Sequence, residues 1–370
     1  MRLTLSEDQL ELHSVAREAM ADLAPLSLAR SFLEGEGDAA ALQAELGDLG
    51  WYGVGLEDDG FGVLGLCLLA ERCGAQAAPN CLVDTAVAAR LACSLDRDDE
   101  LVGRVAAGEV PTALAVIEPE ADWSLEGAAA RLSARGEAFT LSGTKLGVQL
   151  GASVEAFLVS CDHDGERAFA LLAADQAGCI SRSAPSLDAA AATVELELES
   201  VAVPQSRALS GRNATEAIDR AFRVGAVATA AEAVGASSAA LDLAVAYAKE
   251  REQFGAPIGS FQALKHLLAD AHVDRESALA SVLFAAAAID EQNPSAEEAA
   301  TVAKAYASRA SRAAVEAALQ VFGGIAFTWE HDAHLLQRRV LAAERRFGDA
   351  IQHERHLGRM LAARRQGAAA

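Results

Sequence analysis

Residues 247–262 read YAKEREQFGAPIGSFQ, and residues 320–330 read QVFGGIAFTWE. Arg251 in the first stretch carries a planar fork of donors that suits phosphate oxygens, although an arginine with a glutamate on either side also suits a surface ion pair. The pair Gly323 and Gly324 in the second stretch allows positive φ and close approach of the backbone to a ligand, but it also suits the end of a helix. These two stretches decide how the rest of the chain is interpreted.

The composition is that of a globular protein with an acidic surface. Of the 370 residues, 52% are hydrophobic and 23% are charged, and the formal net charge is −22. A general nucleic-acid binder needs a basic face, so we expect no nucleic-acid partner. The length predicts two or three domains.

Three further features bear on the cellular location. The six cysteines include no C-x-x-C pair and are interpreted as small buried hydrophobes in a reducing compartment, not as a disulfide frame or a zinc site. The N-terminal residues lack a basic segment followed by an apolar one. The apolar tract from Val224 to Ala248 carries Glu232 and Asp242, which favours a buried bundle helix over a membrane span. We therefore expect a cytoplasmic protein that does not associate with a membrane.

The hydrophobic pattern changes twice along the chain. Residues 1–110 are helical in pattern, and Ser6 precedes the first amphipathic run as its cap. Short apolar or alternating stretches bounded by Gly, Asp and Ser follow at residues 111–208 and predict a small antiparallel β domain, either a barrel or a sandwich. Long alanine-rich helical patterns return at residues 209–370 and predict a four-helix bundle. The expected fold class is mostly α with a central β domain.

Each zone contains several predicted elements. Helices are predicted at 38–49, 62–76, 82–94, Glu216–Glu250, Phe261–Asp290, Ala296–Phe322 and Asp349–Ala363, and strands at Thr112–Ile117, Ala138–Ser142, Ala156–Ser160, Ala168–Leu172 and Thr193–Leu198. The last four helices are longer than the average globular helix of about 11–12 residues. The alanine-rich helices Phe261–Asp290 and Ala296–Phe322 offer more apolar surface than one isolated bundle needs, so we expect an oligomer of dimers.

The two quoted stretches resemble the acyl-CoA dehydrogenase family, whose C-terminal bundle carries an R-x-x-F-G…F-Q stretch and a later Q-x-x-G-G stretch. The order of the three zones matches that family's architecture, and Leu56–Gly62 resembles its acidic, glycine-containing loop. The resemblance implies an N-terminal helical domain at 1–110, a middle β domain at 111–208 and a C-terminal bundle with FAD-binding motifs at 209–370. It also implies an FAD-dependent oxidoreductase of lipid metabolism that desaturates an acyl-CoA thioester between carbons 2 and 3.

The resemblance further implies which residues contact FAD. Phe261 and Gln262 match positions that in the family can reach the cofactor of a neighbouring subunit, although Phe261 alone would be interpreted as core. Gln320 can donate to the cofactor, although it also suits a hydrogen bond inside the bundle. The implied set is Arg251, Gln253, Phe254, Phe261, Gln262, Gln320, Phe322, Gly323 and Gly324.

The chain departs from the family where relatives carry the catalytic glutamate. One family position corresponds to Phe347 and the other to Gly225, and neither side chain can take a proton. A D-x-x-R pattern that contacts substrate in relatives corresponds to RVGA at 223–226 and is missing. The base is therefore left open, and the candidates, each of which also suits a solvated charge, are Glu344, Asp349, Glu330 and Asp332. No metal site is expected at 330–332, because three successive residues splay around a helix.

The predicted β domain departs from the family as well. The stretch that cradles the flavin in relatives corresponds to IEPEADWS at 117–124, which keeps the Glu-Pro pair but lacks the family's threonine and glycine. The aromatic shield of the flavin ring corresponds to GVQ at 147–149, where no aromatic residue is present. The resemblance is therefore strongest at the adenosine and pyrophosphate end of the cofactor site.

This combination resembles subunits of the α2β2 acyl-CoA dehydrogenases that degrade steroid side chains, in which two chains share each FAD. Three hypotheses follow. The chain is an acyl-CoA dehydrogenase or a subunit of one, a non-redox protein that binds acyl thioesters, or a structural partner that completes FAD sites on another chain. The expected assembly is a homo- or hetero-oligomer, which is a tetramer in the α2β2 case, with an acyl-CoA as substrate.

Overall fold

The computed structural model describes residues 4–56, 60–119, 123, 128–151 and 153–367. Helices α1–α11 span Glu7–Leu23, Leu26–Leu33, Ala40–Asp48, Gly62–Ala75, Leu82–Ala92, Glu100–Ala106, Arg212–Glu250, Gln262–Asp290, Ala296–Phe322, Ala333–Arg345 and Ala350–Gly367. Strands β1–β10 span Thr112–Ala115, Arg131–Arg135, Ala138–Gln149, Ala156–His163, Glu166–Ala173, Cys179–Ala184, Thr193–Pro204, Ala208–Ser210, Glu252–Gln253 and Ala256–Pro257.

The order of these elements confirms the predicted fold class, which is mostly helical with a central sheet. The chain forms two compact units, one made of Met1–Gly37, Val63–Ala78 and Ala226–Ala370 and the other of Asp38–Gly62 and Pro79–Gly225. The division into three domains at residues 110 and 208 stays a prediction. The acidic residues 57–59 of the family-like loop lie outside the described residues.

In the first unit, α9 lies among the other C-terminal helices and packs against α8, α10 and α11. Small residues let the helices of this unit approach closely. A Cβ on Gly74 would clash with the backbone of Glu232, and a Cβ on Gly235 would clash with the backbone of Glu71. Helices α4 and α7 are therefore in backbone contact, which a larger side chain at either glycine would prevent.

The first helix begins as predicted. Ser6 Oγ accepts a hydrogen bond from the Gln9 backbone N–H at 3.2 Å, and Gln9 Oε1 accepts one from the Ser6 backbone N–H at 2.9 Å. Each side chain satisfies a backbone donor that the first helical turn leaves unpaired. The sequence signal at Ser6 is therefore a complete capping box.

The second unit contains an eight-stranded sheet in the order β6-β7-β3-β2-β4-β5-β8, with β1 paired to β4. Most pairs are antiparallel as predicted, but β1 runs parallel to β4, and β2 meets β4 in parallel at one position. Alternate residues of β7, such as Val194, Leu196 and Leu198, are buried in the core of the sheet. Register shifts interrupt β3 against β7, and one of them lies between Lys145 and Val148.

Among the described residues, one helix is long and apolar enough to cross a membrane by length and composition alone, namely Arg212–Glu250. Of its most apolar 18-residue window, 89% is buried inside the protein.

Candidate active site

The first motif forms a short hairpin directly after α7. The Arg251 backbone N–H donates to the Tyr247 carbonyl at 2.8 Å, and the Ile258 N–H donates to the Arg251 carbonyl at 2.7 Å. Strands β9 and β10 pair on either side of a two-residue turn at Phe254 and Gly255, whose φ angles are +55° and +80°. Positive φ at both central residues is typical of a type I′ hairpin turn, which glycine and asparagine favour.

The turn presents its aromatic side chain to the surroundings. Phe254 is 95% exposed, and its ring meets the ring of Phe261 edge to face at a centroid distance of 6.2 Å. Phe261 is itself 38% exposed and lies at the N-terminal end of α8, where the exposed Gln262 is the first helical residue. Gln253 is exposed beside the turn, and its side-chain amide donates to the Glu252 carbonyl at 2.8 Å.

The second motif ends α9. Phe322 is buried, Gly323 has a φ of +64°, and Gln320 is exposed one turn earlier. Open space surrounds the glycines, because a Cβ added to Gly323 or Gly324 would meet no atom within 4 Å, and the same holds for Gly255 in the hairpin. This backbone is therefore accessible to a ligand.

Aromatic contacts bring the two motifs together. The ring of Tyr247, near the end of α7, lies 5.2 Å from the ring of Phe322, and the ring of His331 lies 4.3 Å from Phe322 on another side. Tyr247 lies shortly before the hairpin, and Phe322 directly precedes the glycine pair. The hairpin and the glycine pair therefore lie at the same end of the helical bundle. The structure thus places the predicted residues of both motifs in one region.

The polar side chains at this end are available to a ligand. Arg251 lies between Glu250 and Glu252, yet its guanidinium forms no ion pair with any residue that the structure describes. Gln320 and Gln262 are also exposed, and within the described part of the chain their side chains make no hydrogen bond. The alternative interpretations, a surface ion pair for Arg251 and a bundle hydrogen bond for Gln320, are therefore not realised.

A residue that the sequence did not indicate fixes the segment after the glycine pair. Arg30 of α2 donates to the carbonyls of Trp329 and Glu330 and forms an ion pair with Asp332 at 2.5 Å. Trp329 stacks on His334 with their ring centroids 5.6 Å apart. No local pattern could have identified Arg30, because about 300 residues separate it from its partners.

Phe347, at the first family position of the base, lies in a tight buried turn. Its φ is +56° and its side chain is 5% exposed, and Gly348 follows with a φ of +93°. The His353 Nε2–H donates to the Phe347 carbonyl at 2.9 Å, and the guanidinium of Arg346 lies 5.6 Å from the centre of the Phe347 ring. Burial lowers the pKa of His353 to about 4, so this imidazole is neutral near pH 7.

The four candidate carboxylates have different surroundings. Asp332 is paired with Arg30, and Glu344 lies 3.6 Å from Arg312. Asp349 accepts a hydrogen bond from the Gln352 N–H at 2.9 Å at the start of α11 and lies 3.5 Å from Arg345. Glu330 is exposed, and its backbone carbonyl accepts from Arg30. Three of the four therefore already serve as ion-pair partners or as a helix cap.

Sequence reasoning missed the role of one buried carboxylate. Glu232 is 3% exposed and pairs with Arg339 at 2.9 Å and with Arg346 at 3.5 Å. Arg339 also donates to the carbonyls of Ala77 and Ala78 at 3.0 and 2.8 Å. The sequence signal for this role is that Glu232 is a charged residue within the apolar tract from Val224 to Ala248. Its ion pairs with two arginines join α7 to α10 and to the turn that follows α10.

The second unit holds the residues that match the flavin cradle. The buried Lys145 donates to Glu118 at 2.7 Å and to Ser160 Oγ at 3.0 Å. Burial alone would raise the pKa of Glu118, but hydrogen bonds from Lys145 and from the Ala129 and Ala130 amides outweigh it and lower that pKa. Residues 120–122 and 124 of the matching stretch lie outside the described residues.

The position of the missing aromatic shield is open. Gly147 lies at the register shift in β3 with a φ of +59°, and a Cβ there would meet no atom within 4 Å. Across the described part of the chain, no group of three His, Cys, Asp or Glu side chains could hold a metal ion.

A helical–β–helical chain whose C-terminal bundle brings these two motifs together has the architecture of acyl-CoA dehydrogenases. The family model for the acyl-CoA dehydrogenase C-terminal domain matches residues 215–360. Acyl-CoA dehydrogenase IpdE2 of Mycolicibacterium smegmatis is 47% identical over 128 residues, which are 35% of this chain and 39% of that protein. Acyl-CoA dehydrogenase FadE34 of Mycobacterium tuberculosis is 33% identical over 338 residues, which are 88% of this chain and 43% of that protein.

Among solved structures, the Tcur3481-Tcur3483 steroid ACAD G363A variant superposes with a TM-score of 0.85 at 28% identity, covering 99% of this chain and 100% of that one. Residues 215–360 of this chain therefore form an acyl-CoA dehydrogenase C-terminal domain, and the comparisons support the acyl-CoA dehydrogenase family for the chain as a whole. The chain spans 39% and 43% of the lengths of the two curated relatives named above.

Proposed function

We propose that this chain is a subunit of an FAD-dependent acyl-CoA dehydrogenase and that it shares its active site with a second, related chain. The observation that supports this proposal most directly is the state of Phe254 in the hairpin turn. Its side chain is 95% exposed, and its positive φ is a backbone conformation that disfavours a bulky residue. Within the described part of its own chain, the only aromatic contact of this side chain is with Phe261, which is itself 38% exposed. Phe254 suits insertion into a site that a neighbouring molecule helps to form.

The residues at this end of the bundle fit a dinucleotide. The unpaired Arg251 can bind pyrophosphate oxygens with its fork of donors. The open backbone at Gly323 and Gly324 admits close approach of the cofactor, and Gln320 supplies donors beside it. When bound, FAD accepts the hydride that leaves the β-carbon of the acyl chain.

Phe347 supports a shared site rather than an independent one. Dehydrogenation breaks a Cα–H bond with the proton passing to a carboxylate, and a positioned base of this kind contributes about 10²–10⁴-fold to the rate. A phenyl ring at the family's base position cannot take that proton. We therefore assign the base to the second chain.

Exposed apolar side chains support an interface at the same end of the bundle. Phe254, Phe327, Trp329, Ile325 and Phe261 are 95%, 76%, 56%, 43% and 38% exposed. An apolar surface of this kind is typical of a protein–protein contact. The solved relative at 28% identity is named by two components, Tcur3481 and Tcur3483, and as a steroid ACAD. We accordingly propose a hetero-oligomer and an acyl-CoA thioester of a steroid side chain as the substrate.

The test is to purify the chain alone and after coexpression with a candidate partner, namely an acyl-CoA dehydrogenase-like chain from the same organism. We expect flavin absorbance and dye reduction with acyl-CoAs only in the coexpressed complex. Flavin in the chain alone, together with rapid turnover of straight-chain acyl-CoAs, would contradict the shared site. The variant Phe347→Glu in the chain alone tests whether the absent base limits turnover.

A second candidate function is a non-redox acyl-thioester-binding protein. The buried Phe347 favours it, because the ring fills space at the family's base position and removes proton transfer. Absence of flavin both alone and with the partner, combined with retained acyl-CoA binding by calorimetry, would support this alternative.

A further inference from the structure

A lysine with no carboxylate partner lies at the centre of the C-terminal helices. Lys304 of α9 is 0% exposed, and its Nζ donates to the Ala343 carbonyl at 2.7 Å and to Thr229 Oγ1 at 3.2 Å. Its amine forms no ion pair with the described residues. A buried amine without an ion partner is costly, so its two neutral acceptors call for a functional explanation.

The first acceptor lies at the end of a helix. Ala343 belongs to the last turn of α10, where carbonyl groups lack the N–H partners that a continuing helix would supply. The Arg346 backbone N–H reaches the same carbonyl at 3.3 Å, which closes a tighter final turn. A cation at this end of a helix is also favoured by the helix dipole. Lys304 therefore supplies, from a different helix, the group that ends α10.

The end of α10 determines where the next turn lies. Arg346 is extended, and Phe347 and Gly348 follow with φ angles of +56° and +93° before α11 begins. The Nε2–H of His353 in α11 donates a hydrogen bond to the Phe347 carbonyl at 2.9 Å. The turn is thus held at one end by Lys304 and in the middle by His353.

Titratable groups on α7, α10, α11 and the turn between α10 and α11 interact electrostatically with Lys304. Glu232 lies on α7, Glu344 at the end of α10, Arg346 in the turn, and Asp349 and His353 at the start of α11. Burial, followed by repulsion from Arg346, lowers the pKa of Lys304 to about 7, and the three carboxylates oppose this change. The amine therefore titrates near neutral pH.

We propose that Lys304 is a positioning residue that ends helix α10 through the Ala343 carbonyl and thereby holds the turn at Phe347 and Gly348. We call the hydrogen bond from Lys304 Nζ to the Ala343 carbonyl the Lys304 clamp. The location of this turn beside the acyl-CoA site rests on the proposed function, whereas the clamp does not. No other described side chain reaches the Ala343 carbonyl. The clamp couples the turn to a group whose charge changes within the physiological pH range.

The sign of the pH dependence follows from the depressed pKa. An unfolded lysine binds a proton up to about pH 10.5, whereas the folded one releases it above about 7. Between these values the unfolded state binds more protons, so stability rises with pH. A lysine that merely fills space without titrating would give no such slope.

Two measurements on the chain without flavin or acyl-CoA test the proposal. The first is the melting temperature of wild type and Lys304→Met from pH 6 to 9.5, with the exposed Lys249→Met as a matched control. We expect the wild type and Lys249→Met to gain stability between pH 7 and 9.5, and Lys304→Met to lose this gain. Parallel curves for all three proteins would overturn the proposal.

The second measurement is amide hydrogen exchange at pH 7. We expect exchange in residues 344–353 to be about tenfold faster in Lys304→Met, as loss of one charge-assisted hydrogen bond predicts, with the hairpin at 252–257 unchanged. Acceleration spread over α9 and α10 as a whole would overturn a positioning role.

If Lys304→Met does not fold, Thr229→Val keeps the amine and removes its second acceptor. We then expect the pH-dependent gain of the wild type to begin at a lower pH, and an unchanged curve would overturn the proposal. None of these readouts involves flavin, so failure here leaves the proposed function standing, and failure of flavin binding leaves the clamp standing.

Discussion

Two Phe-Gly pairs in this chain have similar positive φ angles and place their rings in opposite environments. Phe254 and Gly255 have φ angles of +55° and +80°, and Phe347 and Gly348 have +56° and +93°. Phe254 is 95% exposed, whereas Phe347 is 5% exposed. A bulky residue at positive φ costs on the order of 1–3 kcal/mol in either place.

The difference lies in what offsets this cost. Burial of the ring and the hydrogen bond from His353 offset it at Phe347, within the same chain. At Phe254 the only aromatic neighbour that the structure describes is Phe261, which is itself exposed. The second turn therefore serves the core, whereas the first turn carries strain that the proposed interface would offset.

The two turns should differ most in how much an alanine substitution of the phenylalanine lowers stability. Phe347→Ala should lower the free energy of unfolding by about 3–5 kcal/mol, because it removes a buried aromatic ring and leaves a cavity. Phe254→Ala, the matched control with the same backbone, should change it by less than about 0.5 kcal/mol. Urea unfolding followed by circular dichroism measures both values. Equal effects would mean that the two rings do not differ in role.

The next effect concerns His353, which holds the buried turn. Burial keeps its pKa near 4, below its ordinary value of 6.5, so the unfolded state binds the proton first as pH falls. We expect stability to be complete above pH 6.5 and to fall by on the order of 2–3 kcal/mol between pH 6.5 and 4. Melting temperatures of wild type, His353→Gln and the exposed control His266→Gln measure this slope. A slope that persists in His353→Gln would assign it to another group.

The exposed turn should show the reverse pattern, with effects on ligand binding and little on stability. Arg251→Ala should weaken FAD retention about tenfold or more, since a charge-assisted contact to pyrophosphate contributes about 1.5–3 kcal/mol. The control is Arg355→Ala, which removes another exposed arginine that forms no ion pair with the described residues. Flavin fluorescence after dialysis of the complex measures retention. Equal retention in the two variants would remove Arg251 from the site.

Much of the fold could be predicted because its signals are local. Helix α9 begins and ends at the predicted residues, Ala296 and Phe322, and the predicted cap at Ser6 is present. Helix α10 was not predicted, because Asp332 at its start makes no side-chain cap and its end depends on Lys304, which lies 39 residues earlier. Local pattern carries no information on such a tertiary contact.

The sequence indicated which residues form the candidate site, which stays a prediction, but it did not indicate how exposed their side chains are. The motifs identified Arg251 and the glycine pair, and the resemblance singled out Phe347 as a departure from the family. Periodicity gave no indication that Phe254 is fully exposed, since it would place a phenylalanine in the core. The partnership of Glu232 with Arg339 was also hidden, because its two members lie 107 residues apart.

The smallest expected effect gives the sharpest comparison of the two turns. Asparagine tolerates positive φ better than phenylalanine, and Asn-Gly is a preferred type I′ pair. Phe254→Asn should therefore raise the stability of the isolated chain by about 1 kcal/mol or less. It should also weaken flavin retention in the complex, because it removes the ring that we propose to enter the neighbouring site. Phe347→Asn also places asparagine at a positive φ, but it replaces a buried ring with a buried amide, so it should lower stability. Urea unfolding of both variants, with flavin retention measured in parallel, separates the two roles. If Phe254→Asn destabilised the chain, or kept its flavin and its partner, the exposed turn would be structural, and the assignment of strain to an external contact would fail.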